Sequence, residues 1–328
     1  MKRRDLLVGT SAIAATTVAA PFVATAQDKY PSRPLKLVIP FPPGGPTDVL
    51  GRRYGERLQA LLGQTVVIDN KAGAGGTVGT DQVAKAKPDG YTLLLGSSST
   101  QVTSPLLMPK PPYDPVKDFT LYIIGFVPMV IACNPNMPCK TLAELAALLK
   151  ANPDKYRYSS SGMGSINHLG AELFKMEAGN VSSLQVPYKG NSPALQAALS
   201  GEVDWLLDTF GTSFGQYKSG KLRYLAICGE TRSAVAPEVP TVAEAGFPKV
   251  QVATVNPVGL PVGTPPEVLK TIADATRTIM SDPKFQADLR AMNIEPVATA
   301  DPVKSAAYFT SELQRWAPII KATGAKME

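Results

Sequence analysis

"LKLVIPFPPGGPTD", Leu35 to Asp48, is an apolar run of the buried-strand type followed at once by a segment with four prolines and two glycines. The prolines fix φ and remove backbone donors, while Gly44 and Gly45 admit conformations closed to other residues and let another group approach the backbone. A chain that only has to turn does not need both. The stretch therefore reads as a strand-to-helix loop shaped to receive a group.

Outward from this loop, Leu50, Tyr54, Leu58, Leu61 and Leu62 recur at helical spacing, and Val66 to Ile68 reads as the next strand. Gly73 to Gly76 opens a second helical stretch, Pro88-Asp89-Gly90 is a turn, and Tyr91 to Leu95 is a third strand running into Ser97 to Thr100. Strand-helix-strand alternation implies a parallel sheet flanked by helices. A second alternation starts after Phe126-Val127-Pro128. Thr141-Leu-Ala-Glu144 has the capping-box form and begins a helix to about Lys150, Tyr156 to Ser160 is strand-like, and "GMGSINHLGAELFKM" from Gly162 is loop, then helix. Leu184 to Val186 and Val203 to Leu207 are strands around the helix Pro193 to Leu199, and Leu222 to Ile227 follows. The last third has helical patterns at Pro266 to Met280, Pro283 to Met292 and Pro302 to Ile320.

The first residues carry an address. Lys2, Arg3 and Arg4 precede the uncharged stretch Leu6 to Val23, and Ala24-Thr25-Ala26 is an A-x-A cleavage site, so residues 1–26 read as an export signal of the Sec or twin-arginine kind. The alternative, a retained membrane anchor, suits this Thr/Ser/Gly/Ala-rich stretch less well. Cleavage leaves 302 of the 328 residues, enough for two domains, with 30 basic against 26 acidic residues. That mild positive charge, without a basic run or basic-aromatic stripe, argues against nucleic acid as partner. One histidine and no close cysteine pair argue against a zinc site. Cys133 and Cys139 could close a small disulfide loop with Cys228 left over, or all three could be small buried hydrophobes.

In open parallel sheets ligands sit beyond the carboxyl ends of the strands. Six unusual loops occupy that place: Pro40 to Asp48, Asn70 to Gly76, Gly96 to Thr100, Ser159 to Ser165, Pro187 to Ser192 and Asp208 to Gly211. Facing edges would make a cleft lined by backbone N–H groups, hydroxyls and helix N-termini, which suits an anion. Enzyme-like signals are weaker. "GAGGTVG", Gly73 to Gly79, follows a strand, but the third glycine of a dinucleotide fingerprint falls on Val78. "GTSFG", Gly211 to Gly215, has the nucleophile-elbow form, yet the sole histidine, His168, precedes Ser213 instead of following it. Asp48 and Asp208 could pair across the cleft as acid and base, or each could cap its own helix.

Together "PFPPGGPTD", "NKAGAGG", "AKAKPDGYTLLLG", "YDPVKDF", "SSSGMGSINHL", "VPYKGNSPAL", "GEVDWLLD", "GKLRYLAI" and "PEVPTVAEAGFP" closely resemble the Bug family, the TctC-like extracytoplasmic solute receptors of tripartite tricarboxylate transporters. The resemblance runs from about Tyr30 to the C-terminus. It implies a two-domain α/β periplasmic binding protein fold of type II, each domain a mainly parallel sheet flanked by helices, joined by crossing strands. The domains would be residues 27–125 with 251–328, and residues 126–250. It further implies a monomeric, periplasmic, non-enzymatic receptor without a cofactor, which encloses a small organic acid and delivers it to membrane permease subunits. The ligand shell implied is Phe41, Pro43, Gly44, Gly45, Thr47 and Asp48; Ala74, Gly75 and Gly76; Ser97, Ser98 and the turn to Thr100; Ser160, Ser161, Gly162, Ser165, Asn167 and His168; Tyr188, Lys189 and Gly190; and Asp208. Thr47 and Asp48 would anchor one side, Ser165 and its helix N-terminus would hold a carboxylate, and Asp208 would sense the distal end. Two alternatives are a serine hydrolase using Ser213 and a ligand sensor for a signalling partner. The chain departs from the family at Ala72, usually proline, and at "ATVNPVGLP", Ala253 to Pro261, where an aromatic and "GLFAP" are usual.

Overall fold

The computed structural model describes residues 30–324 and residue 326, so the export signal expected over residues 1–26 lies outside the described residues. The chain order is β1 (Leu35–Ile39), α1 (Pro46–Leu62), β2 (Val66–Asn70), a 3-10 turn (Ala74–Gly76), α2 (Thr77–Ala84), β3 (Thr92–Leu95), a π-helical turn (Ser99–Thr103), α3 (Ser104–Leu107) and β4 (Phe119–Cys133). There follow α4 (Leu142–Ala151), β5 (Arg157–Ser160), α5 (Ile166–Glu177), β6 (Leu184–Pro187), α6 (Asn191–Ser200), β7 (Trp205–Thr209), α7 (Phe210–Lys218) and β8 (Arg223–Ile227). The chain closes with β9 (Ala253–Pro261), α8 (Pro266–Ser281), α9 (Pro283–Ala291), β10 (Glu295–Pro296) and α10 (Pro302–Thr323).

β4 is continuous and takes part in two sheets. Its residues Phe119–Pro128 lie antiparallel to β9, and its residues Met129–Cys133 lie antiparallel to β7. The first sheet adds β3 on β9 and the parallel pairs β1–β3 and β1–β2; the second adds β8 on β4 and the parallel pairs β5–β7 and β5–β6. Each lobe thus keeps a parallel half flanked by helices, as expected, while the crossing strands contribute antiparallel pairs and make both sheets mixed. Local sequence patterns assign no strand to β4, a long apolar run without a period, or to β9, where Asn256, Pro257 and Gly259 interrupt any strand pattern. The change of sheet falls at Pro128, which has no N–H to offer a ladder, and coincides with the point where the second alternation begins.

The local rules explain the helices that matter for the site. α1 starts with Pro46 at its first position and stops at Gly63, whose φ of +70° is left-handed and whose N–H returns to Gln59 O at 2.9 Å. Leu50, Tyr54 and Leu58, spaced by one turn each, are fully buried against the first sheet, and Tyr54 Oη sits 2.7 Å from Thr276 Oγ1 of α8. α4 is capped as predicted: Thr141 Oγ1 accepts from Glu144 N at 3.1 Å, and Glu144 Oε2 accepts from Lys140 N at 2.6 Å. In the second lobe the buried Trp205 ring packs on Tyr158 and Phe174, with centroids 4.9 and 5.7 Å away, and donates to Ser183 Oγ at 3.0 Å. Cys133, Cys139 and Cys228 are free and buried, with 4.0 Å between the first two sulfurs. No described helix is long and apolar enough to cross a membrane.

α2 presses directly on the loops that end β1 and β2. A Cβ on Gly79 would lie 2.7 Å from Lys71 O and 3.0 Å from Pro40 Cα, both backbone atoms. Gly79→Ala therefore gains helix propensity but forces the two loops apart, and we expect a net loss of about 1–2 kcal/mol. Urea unfolding should show a lower midpoint at an unchanged slope; an unchanged or raised midpoint would contradict this packing.

Candidate functional site

Because β1 and β3 run with β4 while β5, β6 and β7 run against it, the carboxyl ends of the two parallel sets point at each other. Between them lies a cavity of about 710 Å³, within the range of small-molecule sites. From the first lobe Phe41, Pro43, Gly45, Thr47, Ala74, Gly75, Gly76 and Ser97 line it, and from the second Ser161, Gly162, Ser165, Asn167, Tyr188, Lys189 and Gly190. Among the described residues Lys189 is the only charged side chain in the lining. No cluster of three or more potential metal ligands occurs among the described residues.

The electrostatics of the cavity come from helix starts. α1, α6 and α7 begin at Gly45, Gly190 and Thr209, and none of these ends has a side-chain cap. Their first N–H groups therefore keep donor capacity and partial positive charge where the cavity begins. α5 differs: Ser165 Oγ accepts from His168 N at 3.3 Å and donates to Gly162 O at 2.7 Å. Its hydroxyl proton is thus committed, and this end offers an anion its backbone N–H groups. Gly76 shows how closely the first wall is packed. Its φ is +92°, and a Cβ there would lie 2.6 Å from Thr100 Cγ2 and 3.2 Å from Phe41 Cζ.

Seven residues of the expected shell are not part of the lining: Gly44, which is exposed on the Pro/Gly loop, and Asp48, Ser98, Thr100, Ser160, His168 and Asp208, which are buried behind it. Asp48, almost fully buried, accepts from Gly44 N, Arg52 Nε and Asn70 Nδ2, each at 2.9 Å, and Asn70 also donates to Phe41 O at 3.0 Å. Burial alone would push its carboxyl up, but the hydrogen bonds from Arg52, Gly44 and Asn70 outweigh it and hold the group below the usual carboxylate value. Asp48 thus braces the Pro/Gly loop. Ser98 Oγ accepts from Val255 N at 2.8 Å and donates to Ala253 O at 3.2 Å, tying its loop to β9. Ser160 Oγ accepts from Gln185 Nε2 at 2.8 Å. His168 Nδ1 accepts from Gly164 N at 3.1 Å, which requires a neutral ring with its proton on Nε2, and burial holds its pKa below the ordinary value.

Asp208 does not reach the cavity itself. It is 1% exposed and accepts from Asn191 Nδ2 at 2.9 Å and Thr212 Oγ1 at 3.1 Å. Burial, partly offset by these hydrogen bonds, raises its pKa to about 6. Any influence on a ligand passes through Asn191, which does line the cavity. With Asp48 and Asp208 both behind the wall, an acid/base pair across the cleft has no geometry. Ser213 is fully buried with Oγ 2.9 Å from Tyr224 Oη, so it presents no accessible nucleophile.

Three lining residues, Ile166, Pro193 and Thr254, lie outside both the six marked loops and the expected shell. Ile166 and Pro193 directly follow marked loops, and the uncapped start of α6 after Gly190 was the usable signal for Pro193. Thr254 had none, since β9 brings it between the lobes only through the chain crossing.

The model for the tripartite tricarboxylate transporter family receptor matches residues 50–325 of this chain. BugT from Bordetella pertussis is 38% identical over 318 residues, spanning 96% of either chain. A solved R. palustris protein with adipate has a TM-score of 0.85 at 32% identity, covering 90% of this chain and 99% of its own. MatC from Rhodopseudomonas palustris with bound malate has a TM-score of 0.82 at 31% identity, covering 89% of this chain and 100% of its own. The chain belongs to the tripartite tricarboxylate transporter receptor family, the Bug-type extracytoplasmic solute-binding proteins.

Proposed function

We propose that this protein captures a small organic acid of the aliphatic dicarboxylate class between its lobes, residues 27–125 with 251–328 and residues 126–250. As an exported monomer it then delivers the acid to the permease subunits of a tripartite tricarboxylate transporter. The observation that carries this reading is the set of uncapped helix starts that meet one cavity from both sheets, with Lys189 the sole charged side chain in its lining among the described residues. Backbone donors on two opposite walls suit a molecule with an acceptor group at each end. Contacts to both lobes also make the closed arrangement the one a ligand stabilises. The related proteins with adipate and malate carry ligands of this class. In this reading Thr47 and the α1 start anchor one carboxylate, the α5 and α6 starts receive the other, and Asp48, His168 and Asp208 keep those walls in place.

The reading is tested on mature protein unfolded and refolded to strip any carried-over ligand. Malate or adipate at a hundredfold excess over Kd should stabilise it by about 2.7 kcal/mol, read as a rise of several degrees in Tm, and the neutral diamides should not. A diamide that matches its acid would remove charge from the account. Ser165→Phe places a ring in the cavity and deletes the α5 cap, so ligand-induced stabilisation should vanish while intrinsic stability falls by only about 1 kcal/mol; retained binding would refute the role of this wall.

Asp208 supplies a pH test. The folded protein, with its carboxyl raised to about 6, binds the proton more tightly than the unfolded chain near 3.8. Stability from this group is therefore full below pH 4 and lost as pH rises through 6. From pH 4 to 7 the stability of Asp208→Asn relative to the parent should move in the variant's favour by up to roughly 3 kcal/mol. Parallel stability-pH curves would contradict the raised value.

A further inference from the structure

Asn256 lies in β9, one of the two crossing strands, with its side chain fully buried behind the cavity wall. Its amide nitrogen is 2.9 Å from Gly96 O and 3.2 Å from Thr47 Oγ1. A carbonyl only accepts, so the Gly96 contact fixes which end of the amide is nitrogen, and the second N–H is directed at Thr47. The Thr47 hydroxyl then accepts with one lone pair, and its own proton must be directed away from Asn256. Thr47 lines the cavity, at the uncapped start of α1.

The other end of the amide is equally informative. Asn256 Oδ1 is buried and has no hydrogen-bond partner among the described residues. Burying an unpaired carbonyl is unfavourable and offsets much of what the bond to Gly96 O contributes to the fold. What the residue does supply is orientation, through its nitrogen, of two neighbouring elements of the first wall.

We propose that Asn256 is a positioning residue that sets the specificity of the cavity: from behind the wall it fixes Thr47 as a hydrogen-bond donor, and so favours ligand oxygens that only accept, as those of a carboxylate do. The inference rests on the reading of the cavity as an organic-acid site. Either oxygen of a carboxylate suits a Thr47 proton directed at the ligand, whereas an amide end suits it only through its carbonyl oxygen and is opposed when its N–H group faces the same proton. The same side chain ties Gly96, and with it the turn that carries Ser97, to the crossing strand.

Two substitutions separate this role from a structural one. In N256D an acceptor replaces the donor, Thr47 turns its proton toward it, and lone pairs face the cavity. In N256V both the donor and the unpaired carbonyl disappear, so the hydroxyl is released, while the buried Gly96 O also loses its donor. Calorimetry with malate and adipate, each beside its diamide, should show N256V binding the diacid about threefold to tenfold more weakly while its melting temperature falls by only a few degrees, because loss of the unpaired Oδ1 offsets part of the cost of leaving Gly96 O without a donor. N256D should lose more, and its preference for diacid over diamide should fall by more than tenfold. In a T47V background, N256V should weaken diacid binding less than it does in the parent, by only the part that passes through Gly96 and Ser97. Should N256D fail to fold, N256V carries the test. Diacid affinity unchanged in N256V, or an equal loss for diacid and diamide, overturns the inference and leaves the acid-binding reading intact. A parent protein that binds neither diacid overturns that reading and the inference together.

Discussion

The fifteen residues of β4 run without a break through both sheets, and this shared strand is the constraint from which the site follows. Its direction fixes the others: the parallel strands of the first lobe run with it and those of the second run against it. Their carboxyl ends then have to face one another. Every loop that leaves those ends, and every helix that begins just after them, is delivered to the same gap. β9 returns antiparallel beside β4 and supplies Thr254 to the gap and Asn256 to its back wall. A pair of crossing strands also gives two lobes few covalent ties, so a ligand that bonds to both walls can draw them together by a hinge motion at small cost.

In the proposed reading the site relies on donors that belong to the backbone. A guanidinium or ammonium held in a cleft loses rotamer freedom on binding, whereas an N–H at a helix start is fixed by the helix itself. Such a wall has to be braced, and the bracing is where the buried polar residues have gone. Asp48 collects Gly44, Arg52 and Asn70 around the Pro/Gly loop, His168 holds Gly164, and Asp208 holds Asn191. The titratable groups that looked suited to chemistry in the sequence serve to hold loops still. Their environments differ, and so do their pKa values: Asp48 has three donors and is lowered, while Asp208 is raised because burial outweighs its donors.

Much of this was legible from local rules. The amphipathic spacing of Leu50, Tyr54 and Leu58, the Thr141–Glu144 cap and the turn glycines mark elements whose causes lie within a few residues of them. The six loops at strand ends were legible for the same reason, and all of them contribute to the cavity lining. What could not be read was set by pairing at long range. β4 is an apolar run without a period, β9 is interrupted by Asn256, Pro257 and Gly259, and nothing nearby in sequence says that one strand joins two sheets. Asp208 looks identical in sequence whether it faces the cavity or sits behind Asn191; only the packing of α6 against β7 decides. Asn256 was visible as a departure from the family pattern, but its partners, Thr47 and Gly96, lie 209 and 160 residues away in the chain.

The most direct test of the central claim, that backbone donors from both lobes jointly hold one organic acid, is a crystal structure of the refolded protein with adipate or malate. The account predicts one carboxylate within hydrogen-bond distance of backbone N–H groups at the start of α1 and the other within reach of those at the starts of α5 or α6. A ligand held by a single lobe, or by Lys189 in place of the helix starts, would contradict it.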